Sequence, residues 1–148
     1  MMSSRPTNNL YPVFLQLKHL RVLVVGGGHV GEEKLNSLLK SCPDAQVTLV
    51  ALEISDSIKK MAAGFGGLRL QQKAFETEDL IAKDLVIGAT NDAALNRRVK
   101  EAAQDAGILA NIADTPDLCD FYLGSIVNKG DLKIAISTNG KSPTIAKR

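Results

Sequence analysis

The sequence predicts an α/β protein built on a doubly wound parallel sheet, and three observations carry that prediction. A run of apolar β-formers, Val22-Leu23-Val24-Val25, enters Gly26-Gly27-Gly28-His29-Val30-Gly31, and a helical pattern opens directly behind it. Strand-like and helix-like stretches then alternate as far as Ile112, the pattern of βαβ units joined by right-handed crossovers. Beyond Ile112 the alternation gives way to two short apolar runs around Asn128-Lys129-Gly130-Asp131, which read as a β-hairpin.

Taken in order, residues 1–9 are expected to form a flexible tail. Tyr11–Leu17 alternates enough to suggest a short strand, with Lys18-His19 as a solvated turn into the glycine strand. Gly31, Leu35, Leu38 and Leu39 share a helical face, so a helix should run to about Lys40 and stop at Ser41-Cys42-Pro43-Asp44. Val47–Ala51 is a second buried strand. Ser55 is placed to cap a helix ending near Ala63, ahead of Gly64, Gly66 and Gly67. Leu68–Lys73 alternates as a third strand, and Thr77 is placed to cap a single turn over Glu78–Ala82. Asp84–Ala89 is a fourth strand. Leu95, Val99, Ala102, Ala103 and Ala106 then mark an amphipathic helix stopped by Gly107, and Ile108–Ile112 is a fifth strand. Ser125–Asn128 and Leu132–Ser137 form the hairpin. Ser142 and Pro143 have the residue types of an N-cap and first helical position, so the chain is expected to be a truncated part of something longer.

Bulk properties narrow the function classes. In 148 residues, 18 basic and 16 acidic side chains give a net charge of +2, with 45% apolar residues: one ordinary globular domain with a real core. There is no basic stripe, the aromatic share is 4% and Trp is absent, so no nucleic-acid partner is expected. No apolar run approaches the ~20 residues that span a bilayer, and the polar start MMSSRPTNN has no apolar signal core. With Cys42 and Cys119 far apart and no C-x-x-C, no metal site is expected, and the reading is a cytoplasmic protein.

The chemistry should sit beyond the carboxyl ends of the strands. Gly26, Gly28 and Gly31 have the G-x-G-x-x-G spacing: the first allows the tight turn, the second lets backbone approach a pyrophosphate, and the third lets helix and strand pack closely. The helix start behind them offers free N–H groups and a positive dipole end. His29 lies inside this turn, either bordering a pyrophosphate or simply exposed. After the second strand, Ala51-Leu52-Glu53 brings an acid slightly late for the ribose of NAD, and the next basic residue, Lys59, is too distant to clamp a 2′-phosphate; NAD is favoured over NADP. Thr90 is the expected ligand contact after strand four, whereas Asn91 or Asp92 more simply caps the next helix. Asp114, in Asn111-Ile112-Ala113-Asp114-Thr115-Pro116, is placed to take a proton from a substrate lying over a nicotinamide, though an Asx turn explains it equally well. Asp117 and Asp120 read as solvated loop acids and Cys119 as a small buried hydrophobe.

Four strings in order, YPVFLQL before VLVVGGGHVGEEK, then ATNDAALNRRV, NIADTPDLCDFYLGSIV and IAISTNGKSPTIAKR, resemble the N-terminal half of siroheme synthase and its stand-alone relatives, the precorrin-2 dehydrogenases and sirohydrochlorin ferrochelatases. The likeness runs from about residue 10 to the end. It implies a Rossmann-type NAD-binding domain over 10–113, then the start of a dimerisation and substrate region over 114–148, in a homodimer with a further helical domain. It implies oxidation of precorrin-2 to sirohydrochlorin with NAD, and in many members insertion of ferrous iron as a second substrate. His29, Val30, Leu52 and Glu53 would contact NAD, Asp114 would serve both reactions, and Asn111, Ser137 and Thr138 would meet the tetrapyrrole. The family's S-S-G-G string reads Ser137-Thr138-Asn139-Gly140 here, so a role of its second serine falls on a threonine. The competing reading is a Rossmann regulatory domain that senses NAD(H) without catalysis; it gives the Asp114 loop and the hairpin nothing to do.

Overall fold

Why the chain alternates strand and helix is visible in where its apolar residues go. A computed structural model describes residues 7–138. In the unit spanning Gln16–Phe121, five strands form one parallel sheet: β1 (Arg21–Val25), β2 (Gln46–Ala51), β3 (Leu68–Gln72), β4 (Leu85–Gly88) and β5 (Leu109–Ile112), in the order β3-β2-β1-β4-β5. The helices are α1 (His29–Ser41), α2 (Asp56–Gly64) and α3 (Ala93–Ala106). The central strands are buried on both faces, which is why they read as continuous apolar runs rather than as alternation.

The period of two then sorts each strand between two cores. Val22, Val24, Val47, Leu49 and Ile87 pack with Leu35, Leu38 and Leu39 of α1 and Ile58 of α2. Leu23, Val25, Val50, Val86 and Ile112 pack on the other face with Val99 and Ala103 of α3 and with Phe75 and Leu80. Leu49 is fully buried, and truncating such a side chain to Ala costs about 2–5 kcal/mol. Because α1 and α2 lie on one face and α3 on the other, the chain switches face between β1 and β4. In open α/β sheets such a switch point, at the carboxyl ends of the two neighbouring strands, is where ligands bind.

Local signals place most boundaries. Ser55 caps α2 by accepting from the Ile58 N–H, Asp92 caps α3 by accepting from Leu95, and Gly107 ends α3 in the left-handed region at φ 71°. Two expectations are corrected. Tyr11–Leu17 is not a strand: no regular element precedes the 3-10 turn Leu17–His19 among the described residues, and Tyr11 is 88% exposed. Pro12 cannot donate to a ladder, and no described strand pairs with the stretch. The turn between β3 and β4, Thr77–Leu80, is capped by Glu76 rather than Thr77, through a reciprocal box in which Asp79 accepts from the Glu76 N–H at 2.8 Å.

In the second unit, which contains residues 7–15 and 122–138, β6 (Ser125–Lys129) and β7 (Leu132–Ile136) form an antiparallel hairpin. Its turn is tighter than the sequence suggested, with only Gly130, at φ 58°, and Asp131 between the strands, the glycine-first pattern of a type II′ turn. Val127, Leu132 and Ile134 share one face by register and are 41%, 58% and 44% exposed. The helix start expected at Ser142-Pro143 lies outside the described residues.

Candidate functional site

The loop after β1 is built by four glycines with different steric reasons. Gly26 sits at φ 134°, and a Cβ there would run into the Ala89 carbonyl beyond β4. On Gly27 a Cβ would strike the Glu53 carbonyl, and on Gly31 the Gly26 carbonyl, so both close approaches of backbone to backbone require glycine. Gly28 differs: a Cβ there meets no protein atom within 4 Å. What Gly28 leaves clear is space outside the protein, directly in front of α1. That helix starts at His29 with Gly28 as its N-cap and no side chain capping it, so its first N–H groups remain available to an anion. His29 is exposed, Val30 half-buried and Gly31 buried. The cradle therefore fits the pyrophosphate of a dinucleotide.

The stretch after β2 is tied to this loop. The Ser55 N–H donates to the Gly27 carbonyl at 2.9 Å, the Lys73 N–H to Ala51 at 2.9 Å, and Gln72 Nε2 to the Leu52 carbonyl at 3.1 Å. Leu52 is 69% exposed and Glu53 is exposed beside the glycines. An acid held there suits ribose hydroxyls and repels an added phosphate.

The loop after β4 is governed by a residue that the sequence did not single out. Asn96, on the first turn of α3 and 6% exposed, accepts from the Thr90 hydroxyl at 2.6 Å and from the Thr90 N–H at 3.3 Å. Its Nδ2 donates back to the Thr90 carbonyl at 3.0 Å. The Thr90 hydroxyl also accepts from the Asp92 N–H at 3.1 Å. The hydroxyl is thus engaged within its own loop, and the loop is rigid. An asparagine in the first turn of a helix, following a threonine just past the end of a strand, could have flagged this clamp.

Beyond β5 the turn is held from inside. The Cys119 thiol accepts from the Ile112 N–H at 3.2 Å, with the Ile112 and Thr115 carbonyls at 3.2 and 3.4 Å. Burial pushes this thiol above its ordinary pKa, outweighing the Ile112 amide and nearby Lys100 and Lys34, so it is protonated and structural rather than a nucleophile. Asn111 points inward, 6% exposed, donating to the Phe121 carbonyl at 2.9 Å while its Oδ1 is buried without a partner among the described residues. Asp120, although partly exposed, is not a free loop acid: it accepts from the Ala110 N–H at 2.9 Å and pairs with Lys100 at 2.8 Å. Burial opposes its charge, but the Lys100 and Ala110 contacts together prevail and hold the carboxyl below its usual range.

Asp114 is what this scaffold presents. It is exposed, at φ 59°, and its carboxylate accepts no hydrogen bond among the described residues, so it forms no Asx turn. The ladder aligns Val25 with Gly88 and Gly88 with Ile112, so the glycine loop, the Thr90 loop and Asp114 leave one edge of the sheet from adjacent strands. With strands ~4.8 Å apart, Asp114 stands about 10 Å across the edge from the glycines. Ser137 and Thr138 belong to the other unit, where the Ser137 carbonyl accepts from Asn8 at 3.2 Å.

Comparison with known proteins agrees with this geometry. The family described as putative NAD(P)-binding matches residues 13–125, and the central part of sirohaem biosynthesis proteins matches residues 129–148. The siroheme synthase of Vesicomyosocius okutanii subsp. Calyptogena okutanii is 38% identical over 139 residues, covering 94% of this chain and 29% of that protein. The siroheme synthase of Methylococcus capsulatus is 41% identical over 137 residues, covering 93% and 28%. The chain thus spans less than a third of the length of these relatives. Among solved structures, SirC, a precorrin-2 dehydrogenase, superposes with a TM-score of 0.78 at 34% identity, covering 93% of this chain and 66% of that one. A parallel sheet with a glycine loop at its switch point, matched along nearly the whole chain, has one reading: the chain belongs to the NAD(P)-binding domain family of the siroheme synthases.

Proposed function

We propose that this protein oxidises precorrin-2 to sirohydrochlorin, passing a hydride to NAD and releasing a proton. The observation that carries the reading is the pairing of an open dinucleotide cradle at Gly28 with an exposed carboxylate at Asp114, unpartnered among the described residues, on the same edge of the sheet. A bound nicotinamide supplies the hydride acceptor. The chain's own work is to hold the pyrophosphate on the amides of His29, Val30 and Gly31 and the ribose at Leu52 and Glu53. It keeps the Thr90 loop rigid beneath the coenzyme and offers Asp114 as the base that takes the proton. Glu53, an acid suited to ribose hydroxyls and unsuited to an added phosphate, makes NAD the preferred form.

By the resemblance, Ser137 and Thr138 are positions for the tetrapyrrole; Asn111, expected with them, is buried and turned inward and supports the Asp114 turn instead. The exposed apolar face of Val127, Leu132 and Ile134 supports a homodimer formed through the 114–148 region, because a two-stranded hairpin is marginal alone. Ferrous iron as a second substrate would draw on the same carboxylate to remove pyrrole protons.

The test is turnover. Precorrin-2 and NAD mixed with the protein should yield NADH and sirohydrochlorin in equal amounts. NAD binding with no response to the tetrapyrrole would instead mark a nucleotide-sensing domain. Iron insertion is read separately, by adding ferrous iron to purified sirohydrochlorin in the absence of NAD.

A further inference from the structure

The crossover between β3 and β4 is the one place where this sheet lacks a covering helix. Residues 73–84 contain a single 3-10 turn, and Phe75 and Leu80 are the apolar side chains it lends to the α3 face. Strand alternation puts Arg21 on the face of Leu23. The ladder pairs Leu23 with Thr48 and Thr48 with Arg69, and Gln46 with Arg21, so these four polar side chains share that face at the amino end of the sheet. There they line a cavity of about 240 Å³, together with Gly67 and with Lys83 at the end of the crossover.

Three cations line this cavity, and none of them forms an ion pair among the described residues. The ion pairs of the described residues use Lys73 and Lys100, not Arg21, Arg69 or Lys83. Of the acids nearby in the chain, Asp84 accepts from the Arg21 N–H at 2.8 Å, so one carboxylate stands beside the three cations and leaves the surroundings net positive; neither it nor Asp44 lines the cavity. Gln46 and Thr48 add uncharged donors, and Gly67 is there because a Cβ would strike the Ala45 carbonyl. A volume of about 240 Å³ leaves room for a pyrophosphate. Guanidinium groups match the planar oxygen pairs of such an ion, and the lysine adds a point charge.

We propose that this amino-edge cavity binds a small oxyanion of the phosphate class carrying two or more negative charges, at a site separate from the coenzyme's. The five residues of β1 put it about 16 Å from the glycine loop at ~3.3 Å per residue. The ligand is either a free oxyanion or the phosphate end of a nucleotide. The proposal stands whether or not the enzyme reading does, because it uses no residue of the carboxyl edge.

Amide NMR of the nitrogen-labelled protein decides it. Pyrophosphate is titrated at constant ionic strength against chloride, with and without NAD. The expected result is saturable shifts at Val47, Gly67, Arg69 and Lys83 that persist when NAD fills the glycine loop. The Arg69→Gln/Lys83→Gln double variant should lose affinity by about tenfold or more, while Arg69→Lys, which keeps the charge but not the planar pair of donors, should fall between it and the parent. Tighter saturation by ADP than by pyrophosphate identifies a nucleotide; saturation by pyrophosphate alone identifies the free ion. Shifts confined to Gly27–Gly31, shifts equalled by chloride, or unchanged affinity in a folded double variant would each overturn the proposal. If the double variant does not fold, the titration of the parent protein still separates binding from no binding.

Discussion

Asp114 and Asp120 follow the same strand, six residues apart, and have opposite fates. Asp120 accepts from the Ala110 N–H and pairs with Lys100, which is itself largely buried, so its charge is spent joining the loop to β5 and α3. Asp114 sits in the left-handed region, exposed and without a partner, on a turn that the Cys119 thiol and the Thr115 N–H bond to Ile112 hold from below. The lesson is that availability, not acidity, separates a structural carboxylate from a chemical one. A residue kept at positive φ without local reward persists only because its surroundings fix it there.

The sharpest way to break this comparison is Asp114→Asn. Turnover of precorrin-2 should fall by about 10²–10⁴-fold, the usual worth of a positioned base, while the melting temperature and NAD affinity stay near the parent's. Equal loss of stability would make Asp114 structural after all. Next in size is Gly28→Val, which places a side chain where the protein has none. NAD should bind about tenfold or more weakly, a loss of ~1.4 kcal/mol or above, with unchanged melting. By contrast, Gly31→Ala should destabilise the fold by driving a Cβ into the Gly26 carbonyl.

Asp120→Ala should show the converse pattern. It strands the Ala110 N–H and Lys100, costing about 1–2 kcal/mol in denaturant unfolding with turnover per folded molecule retained. The smallest effect is its pH dependence. The folded-state pKa of Asp120 lies below that of the unfolded chain, so its contribution is complete above pH ~4 and disappears as the pH falls through the lower folded value. The stability gap between the parent and Asp120→Asn should therefore close on acidification, over no more than about 1 kcal/mol because the carboxylate is partly solvated. A gap that widened in acid would contradict the ion pair.

How much of this was legible beforehand differs by residue. The glycine loop, the five strands, the caps at Ser55 and Gly107, and a cap at Asn91 or Asp92 could be read because each depends on neighbours within a few positions. Tyr11–Leu17 misled because strand formation needs a partner, and alternation does not reveal whether one exists. Thr77 was preferred as a cap on residue type, yet Glu76 with Asp79 forms a reciprocal pair that type alone understates. Asn96 passed as an ordinary helix residue. Its importance lies in facing Thr90, six positions back across a loop.

By itself the sequence determined the layering and the coenzyme end of the sheet, since apolar periodicity and glycine sterics are local properties of a chain. Only the tertiary structure decided which acid remains free, which asparagine is buried and where three cations meet at the amino edge. Those outcomes depend on hydrogen bonds and charges between segments far apart in sequence, and no local pattern encodes who the partner will be.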